Sequence, residues 1–523
     1  MHGPPNKIET IKAAKDGLDV LPDLLRYAVA RTPVAEIPPD DLDRMKWYGL
    51  FHRKQTPGFF MLRLRTPGGR LNGVQLRAVA AIARAFGGDT ADITTRQNLQ
   101  LRGLALPDVP EILDRLAVAG ISTRQSGMDN VRNFVGCPLS GIDGAELFDT
   151  SVLIDELQAA LLAATKRFSN LPRKFNVSIT GCREDCGQAQ TQDLGFVPAT
   201  TTIDGRRTFG FNVLAGGALG GSSPRLAEPL DVFVRPEDLV ALFVALLTVY
   251  RDYGPRDQRT KARLKWLIAE RGMRWLRAAV EAELGFPLLR AGTPETVRVA
   301  GDHLGVHHQR QLGLKYVGLH VPVGRIGAGQ LDELARLAGE YGSDEVRLTI
   351  DQNVVIPNVT GARLARLLAE PLLCELSPDP PGIWRNLVCC TGKDYCHFSL
   401  IDTKGRAVEL ARQLEARGVC VPPGTRINIS GCVHACGKHH VGDLGLVGTT
   451  VRMGERVQEA VDLFTGGRLG EGARLATKVH DGVPFDDLPA VAEALLRQAG
   501  SDAEREPALA GSGPAGTAKE DAA

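Results

Sequence analysis

Four cysteines stand in two short pairs toward the C-terminal end of the chain. Cys390 and Cys396 form a C-x5-C pair. After a long spacer, Cys432 and Cys436 form a C-x3-C pair inside Gly431-Cys432-Val433-His434-Ala435-Cys436-Gly437. Four thiolates gathered from two loops can hold one [4Fe–4S] cube, because each iron takes a soft sulfur ligand and the loops must wrap around it. The flanking Gly431 and Gly437 let backbone come close to a bulky group. A structural zinc is the competing reading. Zinc pairs usually sit about two to four residues apart, so the wider gap between Cys390 and Cys396 favours the cluster.

A second set of residues is cationic. Thr94-Thr95-Arg96-Gln97-Asn98, Asn130-Val131-Arg132-Asn133 and Leu171-Pro172-Arg173-Lys174-Phe175-Asn176 each place positive charge beside small or polar side chains. The run 256–265 adds Arg256, Arg259, Lys261, Arg263 and Lys265. Any one of them, taken alone, reads as a solvated face or a surface ion pair worth little. Arg96 is different, because the sequence places it in a short, half-buried strand where an unpaired guanidinium is expensive. Cations converging on a buried site need anionic partners, and a polycarboxylate macrocycle plus a small oxyanion would supply them. The strand Phe211-Asn212-Val213-Leu214-Ala215 runs into Gly216-Gly217-Ala218-Leu219-Gly220-Gly221, which lacks the Lys-Ser/Thr ending of a phosphate loop. It reads as backbone passing close to a large flat cofactor, with Asn212 among the contacts. His307, His308, His439 and His440 are not needed as metal ligands, since the thiolates already account for the metal.

The elements that must position these residues occur twice. Pro67-Gly68-Gly69-Arg70-Leu71 matches Pro322-Val323-Gly324-Arg325-Ile326, each after a strand-like run (59–64 and 317–321) and before an amphipathic helix (74–86 and 330–341). Thr94–Asn98 matches Thr349–Asn353, and the offset is 255 residues at both Pro67/Pro322 and Arg96/Asp351. Further on, Arg132–Cys137 parallels Arg385–Cys390, and Thr180–Gly187 parallels Ser430–Gly437. A period this long means a duplicated domain with a pseudo-twofold axis rather than a solenoid. The copies have diverged. The first keeps Cys137, Cys182 and Cys186 but has Asp143 where Cys396 would stand, and it carries Arg96 and Lys174 where the second has Asp351 and Gly424. A second cube would therefore lack a ligand; Cys182 and Cys186 are not assigned as cluster ligands, and relic thiols, oxidation or a loosely bound metal remain the alternatives for that pair. A site between the halves would use thiolates from one and cations from the other.

A chain of 523 residues exceeds what one core supports. The net charge of +1 gives no bulk argument for nucleic acid or an anionic membrane. The longest apolar run, 239–250, is too short to span a bilayer and reads as a buried helix. The N-terminus shows no apolar signal core, and ten cysteines without one fit a reducing compartment, so a cytoplasmic protein is expected. The expected class is α+β, with duplicated ferredoxin-like half-domains and two larger α/β cofactor-binding lobes related by a pseudo-twofold. The boundaries drawn are an N-terminal arm (1–45, with one helix over 19–30), a first half-domain (46–122), a first lobe (123–295), a second half-domain (296–372), a second lobe (373–498) and a disordered tail (499–523).

At these motifs the chain resembles the sirohaem-dependent nitrite and sulfite reductase family, from about Trp47 to about Leu488. The resemblance implies a [4Fe–4S] cluster on Cys390, Cys396, Cys432 and Cys436, with the Cys436 sulfur shared with sirohaem. It implies that Arg96, Arg132 and Lys174 bind the substrate anion, and that Arg256, Arg259, Arg263 and Lys265 meet the sirohaem carboxylates. Asn176 helps to choose the substrate, since sulfite reductases of the family show Lys-x-Lys where this chain has Lys174-Phe175-Asn176. The implied activity is six-electron reduction of nitrite to ammonium with electrons from reduced ferredoxin; a monomer is expected because the duplicated chain supplies its own twofold partner. Ferredoxin-dependent sulfite reduction is the nearest alternative; a precorrin-3B synthase and a non-catalytic iron–sulfur carrier are more distant ones.

Overall fold

The structure is a computed structural model that describes residues 6–163, 166–296 and 301–505. Its organising feature is a reciprocal exchange of strands. The first half-domain builds a sheet from Leu50–His52, Phe59–Arg63, Leu99–Ala105 and Thr90–Ile93, and the second from Gly305–His308, Leu314–Leu319, Val354–Thr360 and Glu345–Leu348. At one edge of each sheet the last strand comes from the other half. Arg325–Gly327 pairs antiparallel with Thr90–Ile93, and Arg70–Asn72 pairs antiparallel with Glu345–Leu348. Helices Gly73–Phe86 and Ala328–Tyr341 pack on these sheets, and one apolar core runs through both half-domains. An open strand edge is a standing invitation to pairing, and here each copy closes the edge of the other.

The exchange requires sharp turns before each donated strand. Gly69 sits at φ +74, and a Cβ there would strike the Leu348 carbonyl; Gly324 occupies the equivalent position at φ +65, against the Ile93 carbonyl. The same two carbonyls are capped reciprocally. Gln97 Nε2 donates to Leu348 O at 3.0 Å, and Gln352 Nε2 donates to Ile93 O at 2.9 Å. The other end of each amide reaches a lobe: Gln97 Oε1 accepts from Gly136 N at 2.9 Å, and Gln352 Oε1 from Cys389 N at 3.0 Å. Both glutamines are buried, so losing either would leave polar backbone groups without partners, at about 1–3 kcal/mol each.

Each lobe is a sheet with the same five-strand order, and in the first a sixth short strand, Thr293–Pro294, pairs with Leu194–Ile203. In the first, Val131–Gly136, Phe175–Ile179 and Leu194–Ile203 are parallel, and Arg206–Ala215 and Glu228–Val234 follow antiparallel. Leu387–Cys389, Ile427–Ser430, Leu444–Met453, Arg456–Thr465 and Thr477–Pro484 repeat the order in the second. Parallel neighbours need a crossover, which helices Ser151–Ala163 and Thr403–Ala416 supply. The apolar run does become a buried helix, Leu239–Tyr253. Among the described residues no helix is long and apolar enough to cross a membrane.

Three expectations change. Thr94–Asn98 is not part of a strand: Thr90–Ile93 ends before it, Thr94 N bonds Asn98 O at 2.9 Å, and Gln97 takes a left-handed φ of 51°, so Arg96 lies at a hairpin tip. The N-terminal segment holds an additional helix, Lys7–Ala14, and Ile8, Ile11 and Leu18 pack on Trp47 and Met128. Its expected helix over 19–30 is a short turn at Gly17–Val20 followed by Leu21–Val29. The final helix, Leu488–Arg505, extends into the segment expected to be disordered, whose remainder lies outside the described residues.

The exchange predicts unequal costs for two substitutions. Gly58 also has φ +80, but a Cβ there meets nothing within 4 Å. Gly58→Ala is expected to lose only the left-handed penalty of about 1–2 kcal/mol. Gly69→Ala carries that penalty plus the collision, so its thermal midpoint is expected to fall clearly further. Equal midpoints for the two variants would contradict the tight crossing at Gly69.

Candidate functional site

The period-two alternation of a strand separates the adjacent cysteines Cys389 and Cys390. Cys389 ends strand Leu387–Cys389 and turns into the lobe core, fully buried. Cys390 follows outside it, bonded through its N–H to Ile429 O at 3.0 Å, and its sulfur accepts from Gly431 N at 3.2 Å. Cys396 closes the next turn, its N–H on Gly392 O at 3.1 Å. Gly431 and Gly437 serve a close approach, but of protein to protein: a Cβ on either would collide with Ser399 or with Ile429 of the neighbouring strand. The two cysteine loops can therefore nest.

The four sulfurs sense one another. Burial, then Cys436, Cys390 and Cys396, push the Cys432 thiol up to about 12, and burial followed by Cys436 pushes Cys390 up to about 11. Crowded, desolvated thiols of this kind ionise only against a cation, and metal binding is the reaction that removes their protons. Among the described residues no three of these four sulfurs come within 4.8 Å of one another. That spread suits a cube of irons better than a single ion. The donor set fits a [4Fe–4S] cluster.

Cys436 is the exposed member of the four, and it faces the other half of the molecule. Thr95 Oγ1 at the first hairpin tip donates to Cys436 O at 3.1 Å. Between the halves lies a cavity walled by Arg96, Lys174 and Asn176 from one side and by His434, Cys436 and Lys438 from the other. Among the described residues neither Arg96 nor Lys174 has a carboxylate partner within ion-pair distance, although both feel strong desolvation. Burial, then the charges of Arg96 and Arg263, hold the Lys174 ammonium well below the ordinary lysine value. Asn176 Oδ1 is buried without a hydrogen-bond partner. Arg132 stands behind this wall, held by Ser126 O at 3.0 Å and Met128 O at 2.8 Å, with its Nε unpartnered.

The pseudo-twofold supplies an internal control. The counterparts of Arg96 and Asn176 are Asp351 and Arg426, and these pair with each other at 3.1 Å. One copy has closed its pocket with an ion pair, while the other leaves its cations open. Buried unpaired cations are costly, so an anion is the missing component. A tetrapyrrole bearing carboxylates and a small oxyanion both fit this donor set.

Other expected contacts lie elsewhere. Arg256 pairs with Glu9 at 2.9 Å and Arg259 grips Asp129 at 2.8 and 2.9 Å, so their charge is met within the first half. Asn212 exchanges both amide bonds with Gly292, at 2.9 and 2.8 Å, and Lys265 bonds Ser223 O. None of these four lines the cavity; Arg263 does, clasped by buried Asp193 at 2.8 and 2.6 Å. The glycine-rich loop packs on the cysteine loop, Gly221 N on Val433 O at 3.0 Å, while Ala218, Leu219 and Gly220 face the cavity. His439 and His440 are buried and neutral, burial pushing them down to about 3 and about 4.

Sequence reasoning missed Lys438, Arg63 and Arg53. Lys438 lines the cavity, its ammonium pushed down to about 7 by burial, and bonds Gln188, its own twofold counterpart, at 2.7 Å. Arg63 is lowered to about 9 by burial and by Arg96 and Arg53, while Cys436 acts to raise it. Arg53 has Cys396 as its strongest raising neighbour. Arg63 aligns with Gly318 at the same 255-residue offset, so the asymmetry that singles out Arg96 was available to find it.

Comparison with known proteins agrees with this arrangement. The family model described as the nitrite and sulphite reductase 4Fe-4S domain matches residues 127–288 and 383–505. That of the nitrite/sulfite reductase ferredoxin-like half domain matches 52–119 and 307–373. A ferredoxin–nitrite reductase of Synechococcus elongatus is 47% identical, over 94% of this chain and 96% of its own. A chloroplastic ferredoxin–nitrite reductase of Zea mays is 43% identical, over 95% and 90%. The solved structure of the Mycobacterium tuberculosis NirA protein superposes with a TM-score of 0.87 at 31% identity, covering 95% of this chain and 93% of that one.

The cysteine assignment predicts selective iron loss. Cys390→Ser and Cys432→Ser are expected to lower cluster iron and acid-labile sulfide at least about tenfold. Cys374→Ser and Cys420→Ser, at exposed positions, are expected to leave both unchanged. Full iron and sulfide content in Cys432→Ser would contradict the assignment.

Proposed function

We infer that this chain, which belongs to the nitrite and sulphite reductase family, reduces nitrite to ammonium with electrons from reduced ferredoxin. The observation that carries the reading is the cavity shared by Cys436 of one half and the unpaired Arg96 and Lys174 of the other. The names of the relatives point the same way, and sulfite reduction is not favoured. Cys390, Cys396, Cys432 and Cys436 would hold a [4Fe–4S] cluster, with Cys436 on the sirohaem side. When bound, these groups supply the one-electron chemistry. Arg263 and Lys438, which line the cavity, would meet sirohaem carboxylates, while Arg256, Arg259, Lys265 and Asn212 stand outside its lining.

The remaining work falls to side chains of the first half. Arg96, whose planar guanidinium suits oxyanions, holds negative oxygen by fixed electrostatics, which act strongly where water is excluded. Arg132, braced by two carbonyls, adds to the same field. Lys174 is the group able to move a proton from Nζ to a departing oxygen, because its environment already disfavours the ammonium form. Asn176 offers an amide where a second lysine would draw a doubly charged anion, which suits singly charged nitrite. A cytoplasmic monomer is the form proposed, since the duplication supplies its own twofold partner.

Lys174→Ala is expected to lower kcat for nitrite by about 10²–10³-fold with sirohaem retained. The protonated amine is the active form, so the wild-type rate is present at low pH and is lost as pH rises through a value below that of ordinary lysine. Lys174→Arg, whose side chain stays charged, is expected to keep anion affinity, lower kcat and remove that alkaline limb. Unchanged turnover in Lys174→Ala would overturn the role. Asn176→Lys is expected to raise sulfite turnover relative to nitrite in steady-state assays with one donor; an unchanged ratio would count against Asn176 as a selector.

A further inference from the structure

The twofold axis maps the substrate cavity onto a second, smaller pocket lined by Asp185, Cys186, Gln188, His303, Asp351 and Arg426. There Cys186 takes the place of Cys436, but the neighbourhood is built differently. Cys137, Cys182 and Cys186 are buried with their sulfurs all within 4.8 Å of one another. The Cys182 and Cys186 sulfurs are 3.4 Å apart, too far for a disulfide, and all three thiols are free. His303, from the segment joining the halves, reaches in so that Nε2 stands 3.2 Å from the Cys186 sulfur.

The geometry points to a structural zinc site formed by Cys137, Cys182, Cys186 and His303. Ligand atoms around a tetrahedral zinc, with bonds of about 2.0–2.3 Å, lie about 3.5–3.8 Å from one another. The three sulfurs stand within 4.8 Å of one another, while His303 is that close to Cys186 but not to Cys137 or Cys182, so its ring would swing inward to complete the shell. The C-x3-C pair has the separation zinc loops use, which the C-x5-C pair of the other half does not. A cube in this copy lacks its fourth thiolate, because Asp143 stands where Cys396 would be, whereas one ion needs only the three sulfurs and the imidazole. Three soft thiolates and a nitrogen select zinc over magnesium or calcium. Glu184, whose carboxylate also lies within 4.8 Å of Cys186 and His303, is the nearest oxygen donor.

The site would act as a staple. Cys137 directly follows the strand that carries Arg132, Cys182 and Cys186 follow the strand that carries Asn176, and His303 belongs to the connection between the halves. One ion would tie all three together behind the substrate wall. The proposal goes beyond the reductase activity, and its test does not depend on that activity.

Elemental analysis and zinc-edge X-ray absorption on the purified holoenzyme, grown in zinc-replete medium, test it. The expected result is about one zinc per chain, with three sulfurs at about 2.3 Å and one nitrogen at about 2.0 Å. Cys182→Ser is expected to lower bound zinc at least about tenfold while sirohaem and cluster iron are retained. If that variant does not fold, the wild-type absorption spectrum decides. Substoichiometric zinc, a shell of oxygen and nitrogen alone, a Cys182–Cys186 disulfide, or iron and sulfide exceeding one cluster and one sirohaem would each overturn the assignment.

Discussion

Everything in this molecule follows from two copies of one unit each lending a strand to the other. The pairing of Arg325–Gly327 with Thr90–Ile93 and of Arg70–Asn72 with Glu345–Leu348 fixes the halves in register. Gln97 and Gln352 lock that register, each reaching across the axis to the strand end beside the exchange and back to a lobe of its own copy. Because the lock sits within the hairpin tip that carries Arg96, fold and site share the same few residues. The hairpin cannot shift without moving Thr95 off the Cys436 carbonyl.

Symmetry would give two equivalent pockets, and the chain has spent its divergence on making them different. In one, Asp351 neutralises Arg426 and the connecting segment brings in His303. In the other, Arg96 and Lys174 are desolvated with no carboxylate at ion-pair distance among the described residues, and Asn176 keeps an unsatisfied oxygen. A stability argument alone favours the first arrangement at both places. The persistence of the second makes sense when an anionic ligand completes it, as the site logic of perturbed buried groups suggests.

Much of this was legible in the sequence. The duplication, its 255-residue offset and the segregation of cysteines from cations were visible because each repeat carries its own punctuation of proline, glycine and paired cysteines. Arg96 and Lys174 stood out by comparison with Asp351 and Gly424. What escaped were properties that exist only in three dimensions. Thr94–Asn98 looked like strand because its neighbours alternate, but left-handed Gln97 turns it into a hairpin tip. The pairing of Arg256 with Glu9 and of Arg259 with Asp129 was not legible because those partners lie far away in the chain. Lys438 was hidden in a loop whose charge gains meaning only when burial and Gln188 are seen.

The most direct test is iron-edge anomalous diffraction from crystals of the holoenzyme with nitrite bound. The account predicts iron density among Cys390, Cys396, Cys432 and Cys436, further iron on the cavity side of Cys436, and nitrite in contact with Arg96 and Lys174. Nitrite seated away from those two side chains, or iron centred on the first-half cysteines instead, would contradict it.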